Sequence, residues 1–534
     1  MKLMLRGFFS IMLLASGLLS LDARADNSSS CGESSFCPEN QECKNDCDSQ
    51  FAYGKTHFSL RPQDSNVARK MVGVEDKIHL YGKEEFYGVL SVGLEYGQTF
   101  RRQNQLGKFF NFAAGKNCMT YGNSCDGTFD VYGVNFGTTA SGTLCFDPII
   151  KNFVADFDFW MGWDEFICGL WTRVQLPVNS TRWDLRLCDN VDGDGSSTFT
   201  PGFLNSDCTV SPAVPFKSLK AAFAGDQGFG SAPALTAGKV CGVQKDTQVA
   251  GLHFDLGYDF VRRERGHVGA SIHFVAPTGT KPNDEFLFNA VSGAQHMWQI
   301  GGTFNAGYQL WENCDGNQRL GIYLDAVVTH LFGAKQRRLF GLFIDGNSSA
   351  GSSYLLLKKF NPNTGDVVGL ERAANILNCC AKIEAGVMAD IGVMLQYDCG
   401  CFSTGLGWNF WSRSREKVKA IYCDIEAKTY GIKGNTDLFD CVNNVVNNET
   451  QSKSTIGKCG PVDSTAVFLS NDSVDVCPAL SARAFSNKIF GFFGYNWRDC
   501  DWQPYVLVEG DVEFGHNNRA ADQWSVMLKG GIAF

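Results

Sequence analysis

The chain has 534 residues, with 58 glycines, 42 phenylalanines, 19% charged residues and a formal net charge of −9. Acidity argues against nucleic acid as a partner, and glycine and aromatic richness with little charge argues against a helical soluble enzyme of this size. Beyond the N-terminus no apolar run approaches the ~18 residues of a membrane helix, which leaves membrane-crossing strands open, because their alternation hides from hydropathy scans.

At the start, Lys2 and Arg6 precede an apolar run from Phe8 to Leu21, and Ala23-Arg24-Ala25 offers a small-residue cleavage site. Residues 1–25 read as a secretory signal peptide. Its removal takes Lys2, Arg6, Arg24 and Asp22 and carries the net charge from −9 to −11. All 21 cysteines follow it, in a chain exported to an oxidising compartment. Their odd number leaves at least one free, capped or bonded to another chain. Residues 26–84, with Cys31, Cys37, Cys43 and Cys47, are expected as a cysteine-rich periplasmic segment ahead of the barrel, with 65–73 able to form a short helix.

From residue 85 the pattern has period two. In 153–163, Phe153, Ala155, Phe157, Phe159, Met161 and Trp163 oppose Asp156 and Asp158. In 298–310, Trp298, Ile300, Phe304, Ala306, Tyr308 and Leu310 oppose Gln299, Thr303, Asn305 and Gln309. In 320–328, Leu320, Ile322, Leu324, Ala326 and Val328 oppose Tyr323 and Asp325, and in 381–397 a run from Ala381 to Tyr397 opposes Lys382, Glu384, Asp390 and Gln396. Strands are expected also at 86–100, 129–137, 165–178, 251–263, 267–276, 402–413, 488–497, 504–515 and 523–534. Short connections at Asp164, 264–266, 312–318, 398–401 and 498–503 alternate with longer ones at 179–250, 277–297, 333–380, 414–487 and 516–522. Sorting of loops by side is the plan of an outer-membrane barrel, with short periplasmic turns and long outer loops.

Phase constrains the count. With a periplasmic N-terminus, inward strands carry even numbers, yet the inward strand at 152–163 stands third of thirteen. One strand is therefore expected to be missing before it, in 74–84, 101–128 or 140–150. That gives fourteen, and weak runs in 179–250 or 333–360 extend the range to eighteen, with sixteen as the working number. The fold expected is an all-β transmembrane antiparallel barrel over 85–534.

The faces follow. Trp163, Trp298, Tyr308, Tyr397, Trp408, Tyr495, Trp497 and Trp524 take lipid-facing positions as interfacial girdles. Charges facing hydrocarbon cost a few kcal/mol each, so Glu95, Asp156, Asp158, Arg173, Asp255, Asp259, Asp325, Lys382, Glu384, Asp390, Arg413 and Lys529 are assigned to the lumen, with Glu509, Asp511 and Lys488. Their acidic surplus biases the lumen toward cations. His253, His267 and His273 share that face near Asp255, but no nucleophile motif or spaced ligand set accompanies them, so no catalytic residue, metal or cofactor is expected. Asn190, Asp192, Asp194 and Gly195 imitate the start of a calcium loop, but Pro201 stands where the closing glutamate belongs. Cys314, Cys399, Cys401 and Cys500 fall in short periplasmic turns, open to each other or to neighbouring envelope proteins. Cys423, Cys441, Cys459 and Cys477 share one outer loop and are expected to staple it internally. The last strand alternates through Val526, Leu528 and Ile532 to a terminal Phe534.

A signal peptide, cysteine-rich chain, transmembrane β-patterning and C-terminal strand ending in Phe534 together resemble the cysteine-rich major outer-membrane porins of chlamydia-like bacteria, with the major outer-membrane porins of Legionella a second comparison. The resemblance is architectural, covers roughly 85–534, and meets a longer chain here. It implies passive diffusion of small hydrophilic solutes and ions, envelope stiffening through disulfides, and use of Val526, Leu528, Ile532 and Phe534 as an assembly signal. Expected partners are outer-membrane lipid, permeating solutes, other cysteine-rich envelope proteins and, as in many porins, two further copies in a homotrimer. The rival reading is a surface adhesin or disulfide-linked coat protein that uses a barrel only as its anchor.

Overall fold

A computed structural model describes residues 55–534 apart from 84, 111–114, 123–128, 131–133, 194–197, 210–213, 343–349, 452–461, 499, 501 and 517–519. Twelve antiparallel strands close into a barrel: β1 (Tyr87–Thr99), β2 (Ile149–Gly162), β3 (Leu170–Asp184), β4 (Leu252–Arg263), β5 (Gly266–Ala276), β6 (Gln299–Glu312), β7 (Gln318–Leu331), β8 (Gly386–Cys399), β9 (Phe402–Arg413), β10 (Ala484–Asn496), β11 (Pro504–Gly515) and β12 (Gln523–Ala533). Each pairs with its sequence neighbour, and β12 returns to β1 in register from Val89↔Ala533 to Thr99↔Gln523. Closure leaves no sheet edge, the condition for a sheet to sit in lipid.

The alternation read from sequence is the alternation of burial. Leu94, Leu256, Ile272, Phe304, Leu406, Ile489, Val508 and Leu528 point out and are exposed, whereas Asp156, Asp255, Asp325, Asp390 and Lys529 point in and are buried. An apolar belt around a charged interior places the barrel across the outer membrane. Trp298, Tyr308, Trp408 and Trp497 are exposed on that belt.

Two expectations about strands are corrected. The barrel has twelve strands, not fourteen to eighteen. Inward strands do carry even numbers, and this parity is met by one strand fewer than thirteen rather than one more. Among the described residues of 129–137, Phe129–Asp130 join a small outer sheet, and Phe129, Val134 and Phe136, of mixed parity, all enter one core. The run 381–397 is also two strands. It breaks after Glu384, the end of Asn378–Glu384 in a separate outer sheet, and β8 starts at Gly386, whose φ is +69°.

Loops on the long side do not hang free. They build a head with its own core, including Phe110, Phe136, Trp183, Phe223, Phe340, Tyr354 and Trp411. Disulfides join Cys118 to Cys145, Cys208 to Cys441 and Cys379 to Cys423. Internal stapling of one loop is thus corrected: Cys441 and Cys423 tie the loop after β9 to the loops after β3 and β7. Cys380 and Cys477 are also disulfide-bonded. Cys459 and the four cysteines from Cys31 to Cys47 lie outside the described residues.

Phe534 sits at the short-turn rim. Its backbone exchanges hydrogen bonds with Gly88 at 2.9 and 3.0 Å, and a Cβ on Gly88 would come within 2.8 Å of its ring. The Phe534 deletion and Gly88→Val should each lower the yield of barrel that migrates as folded in unheated detergent gels by several-fold. Unchanged yield of both would show that the terminal residue plays no part in closing the ring.

Candidate functional site

Residues 55–83 fill the lumen. At its outer end, Thr56 N donates to Pro478 O at 2.9 Å, Lys55 Nζ donates to Cys477 O at 2.9 Å, and Phe58 stacks on Phe109, all in the head. The segment then descends. Arg61 meets Asp390 at 2.9 Å and Glu513 at 3.1 Å, near the outer ends of β8 and β11. Asn66 caps the short helix α1 (Val67–Met71), accepting from Arg69 N. Arg69 reaches Asp156 at 2.8 Å and Glu95 at 3.1 Å, and Lys70 reaches Asp325 at 3.5 Å, at mid-depth. His79 meets Asp259 at 2.8 Å, and Arg262 donates to Leu80 O at 2.6 Å at the short-turn rim, where β1 begins.

The wall reciprocates. Lys529 Nζ donates to Arg69 O and Val72 O, both at 2.9 Å, and Arg173 donates to Lys70 O at 2.9 Å while paired with Asp158. Packing completes the seat: a Cβ on Gly392 would stand 2.9 Å from both Met71 Sδ and Val67 Cγ1. Beside α1 the cavities are about 40 and 30 Å³, room for a few waters by the ~10–15 Å³ that one needs; a larger one of about 120 Å³ lies toward the short-turn rim, lined by Glu75, Asp76, His79 and Tyr81. The twelve-stranded lumen is closed in this state.

Of the residues assigned to the lumen by pattern, Glu95, Asp156, Asp158, Arg173, Asp255, Asp259, Asp325, Asp390, Arg413 and Lys529 line it, and most engage the threaded segment or each other. Lys382 and Glu384 do not. They belong to the outer sheet beyond the Gly386 break, where Lys382 is exposed and Glu384 pairs with Lys419 at 3.3 Å. Lys488 lines the lumen as assigned, and Glu513, absent from that assignment, lies 3.9 Å from it and pairs with Arg61. The cations of the segment, Arg61, Arg69 and Lys70, are functional residues outside the sequence-based assignment. Their signal was present: basic residues in a stretch preceding an acidic lumen.

The histidines form a chain. His273 Nδ1 lies 2.8 Å from Asp255, His253 Nδ1 lies 3.4 Å from His273 Nε2, and His253 Nε2 lies 3.4 Å from Asp64 of the segment. Ser271 donates to Asp255 at 2.9 Å. The adjoining cavity is the one of about 30 Å³, too small for an organic substrate. His267 instead stacks on His79 at 4.4 Å. Among the described residues no cluster has the makings of a metal site. In the head, burial pushes Lys358 down to about 7, and its Nζ donates to the carbonyls of Asp437, Asn447 and Glu449 at 2.6–2.7 Å.

At the short-turn rim Cys314, Cys399, Cys401 and Cys500 are free thiols, and Cys168 joins them because β3 starts only at Leu170.

No family model and no curated protein match the chain. Solved structures give loose overlaps. The COG4313 outer membrane channel from Pseudomonas putida F1 is 10% identical, covering 84% of this chain and 96% of its own, with a TM-score of 0.34. The translocator domain of the autotransporter NalP from Neisseria meningitidis is 7% identical over 88% and 95%, with 0.28. The outer membrane channel DcaP of Acinetobacter baumannii is 9% identical over 84% and 96%, with 0.23. Such overlaps transfer no role, and the reading of this barrel rests on its own residues.

Breaking a buried ion pair strands its partner and costs about 3–5 kcal/mol. Arg69→Ala strands both Glu95 and Asp156, so its unfolding midpoint in denaturant should fall clearly, whereas Arg182→Ala, at an exposed pair with Asp184, should shift stability by no more than about 0.5 kcal/mol. Equal effects would contradict the account of the seat.

Proposed function

We propose that the barrel is an outer-membrane channel for small hydrophilic solutes and ions, which rests closed around residues 55–83. One observation carries this reading: the lumen wall keeps buried carboxylate oxygens that the segment leaves unpaired, even on Asp156 and Asp325, whose other oxygens meet Arg69 and Lys70. Glu509 Oε1, Asp511 Oδ1, Asp325 Oδ1 and Asp156 Oδ1 are buried there with no protein partner, although each unsatisfied buried acceptor costs about 1–3 kcal/mol. A wall kept polar at that cost suits a path for water and ions, and its carboxylates favour cations. The mechanism is passive. Solutes pass when the segment loosens, and the lining charge sets which of them pass. The histidine chain lends support to no chemistry, since it lacks a space for substrate.

A second reading has its own observation. The head is a disulfide-tied body with a packed core, as expected of a surface protein for which the barrel is an anchor. Under either reading we propose that the rim thiols bond to other cysteine-rich envelope proteins and stiffen the envelope, and that copies assemble into trimers.

Planar-bilayer recording separates the two. Gly392→Leu wedges Val67 and Met71 from the wall while leaving every lumen carboxylate in place. Wild type should show rare, brief openings and the variant sustained, cation-preferring ones, with His253→Ala and His273→Ala leaving conductance nearly unchanged. Silence of a correctly folded Gly392→Leu barrel would favour the anchor. For the rim, non-reducing gels of whole envelopes should show high-mass species that vanish when Cys168, Cys314, Cys399, Cys401 and Cys500 are replaced by serine. Monomer alone without reductant would end the cross-linking proposal.

A further inference from the structure

The direction in which residues 55–83 run has a consequence for the topology of the whole chain. Thr56 and Phe58 are held by the head, and the head is built from the long loops. Leu80 and Tyr87 are held at the short-turn rim: Arg262 donates to Leu80 O, and Leu80 N donates to Tyr87 Oη at 3.1 Å. Every contact between them falls in order of depth. Arg61 and Asp64 touch the outer thirds of β8, β11 and β4, Arg69 and Lys70 touch the middles of β1, β2 and β7, and His79 touches the inner third of β4. The segment therefore enters at the long-loop end and leaves at the short-turn end, crossing the wall's full height once.

We infer that this barrel displays its N-terminal portion at the cell surface, by threading the chain through its own lumen. Long loops face outward in barrels of this kind, so Lys55 stands on the exterior side of the membrane, and the chain ahead of it is presented there rather than in the periplasm. This reverses the side expected from sequence for that portion. It is a function beyond permeation and does not depend on it, since a threaded barrel can display a segment whether or not ions pass beside it.

The fold supplies a route to this arrangement. Residues 55–83 come directly before β1, and β1 seals the ring by pairing with β12, the last strand of the chain. A barrel sealed by its two terminal strands can close around a segment already lying in the lumen, so no finished ring has to be threaded. Charge fixes the segment once it is there. Arg61, Arg69 and Lys70 meet carboxylates of five strands, and Lys529 and Arg173 grip backbone carbonyls of α1 and its end. Gly73, at φ +75° with Leu507 Cδ2 only 2.1 Å from where a Cβ would stand, lets the chain turn below α1 in a space no side chain fits. Because the thread is held outside by the head and inside by its covalent join to β1, it loosens in place instead of leaving.

Labelling of intact cells tests the inference on the full-length protein. One variant carries a short epitope directly ahead of Lys55, and a second carries it in the β4–β5 turn between Glu264 and Arg265. The first should bind antibody on intact cells at a level within about twofold of permeabilised cells. The second should bind only after permeabilisation. If the epitope ahead of Lys55 needs permeabilisation while a third epitope in the 441–446 turn of the head does not, the chain does not thread outward and the inference falls. Protease added to intact cells gives an independent reading: a cleavage site placed ahead of Lys55 should be cut with the barrel left whole, and resistance there, with cutting restored by permeabilisation, overturns the proposal. Neither result depends on conductance, so a failed channel reading leaves this test intact.

Discussion

An acidic wall in a narrow barrel is the constraint on which the rest of the structure depends. Twelve strands enclose too little space for the broad aqueous channel of a sixteen-stranded porin, yet more than their own side chains fill. Carboxylates from β1, β2, β4, β7, β8 and β11 converge on that space. Charges taken out of water without partners are costly. The chain resolves this by supplying its own cations, Arg61, Arg69 and Lys70, at the depths where the wall acids lie. The filled lumen, the seat at Gly392 and the grip of Lys529 on α1 follow from this charge match.

The match also joins the barrel to its head. The segment that neutralises the wall begins among head residues and ends where β1 begins, so the two bodies share one continuous piece of chain. Disulfides between loops make the head a unit, while the barrel is held by its ladder and by lipid. Stability is thus built differently above and inside the membrane: by covalent ties and an aromatic core outside, by ion pairs and closure within. The permeation and the display proposed for this barrel draw on the same arrangement.

Much of the wall was legible in the sequence, because period two is a local signal that lipid and lumen enforce at every residue. The side of Asp156, Asp325, Asp390 and Lys529 could be read from their immediate neighbours, and so could the sorting of loops. The strand count could not. The stretch 129–137 alternates as a strand does, and only its long-range burial against Phe223 and Tyr354 shows that both of its faces are internal. Gly386 hides a break because its neighbours on both sides keep the same alternation. Disulfide partners were out of reach, since Cys208 and Cys441 are 233 residues apart. The threaded segment was hardest. It has no period, and its meaning lies in the match between its cations and acids hundreds of residues away.

Hydrogen exchange across residues 61–80 in the folded, membrane-inserted protein tests the central claim most directly. The amides of Val67, Arg69, Lys70 and Val72 are each bonded, to Asp390, Asn66 and Ala68 among others, at a depth where the cavities hold only a few waters. Protection there should approach that of the barrel strands and should collapse in the Arg61→Gln/Arg69→Gln double variant. Exchange at the rate of an unstructured chain in the wild-type protein would show that the lumen is open, and would contradict the account.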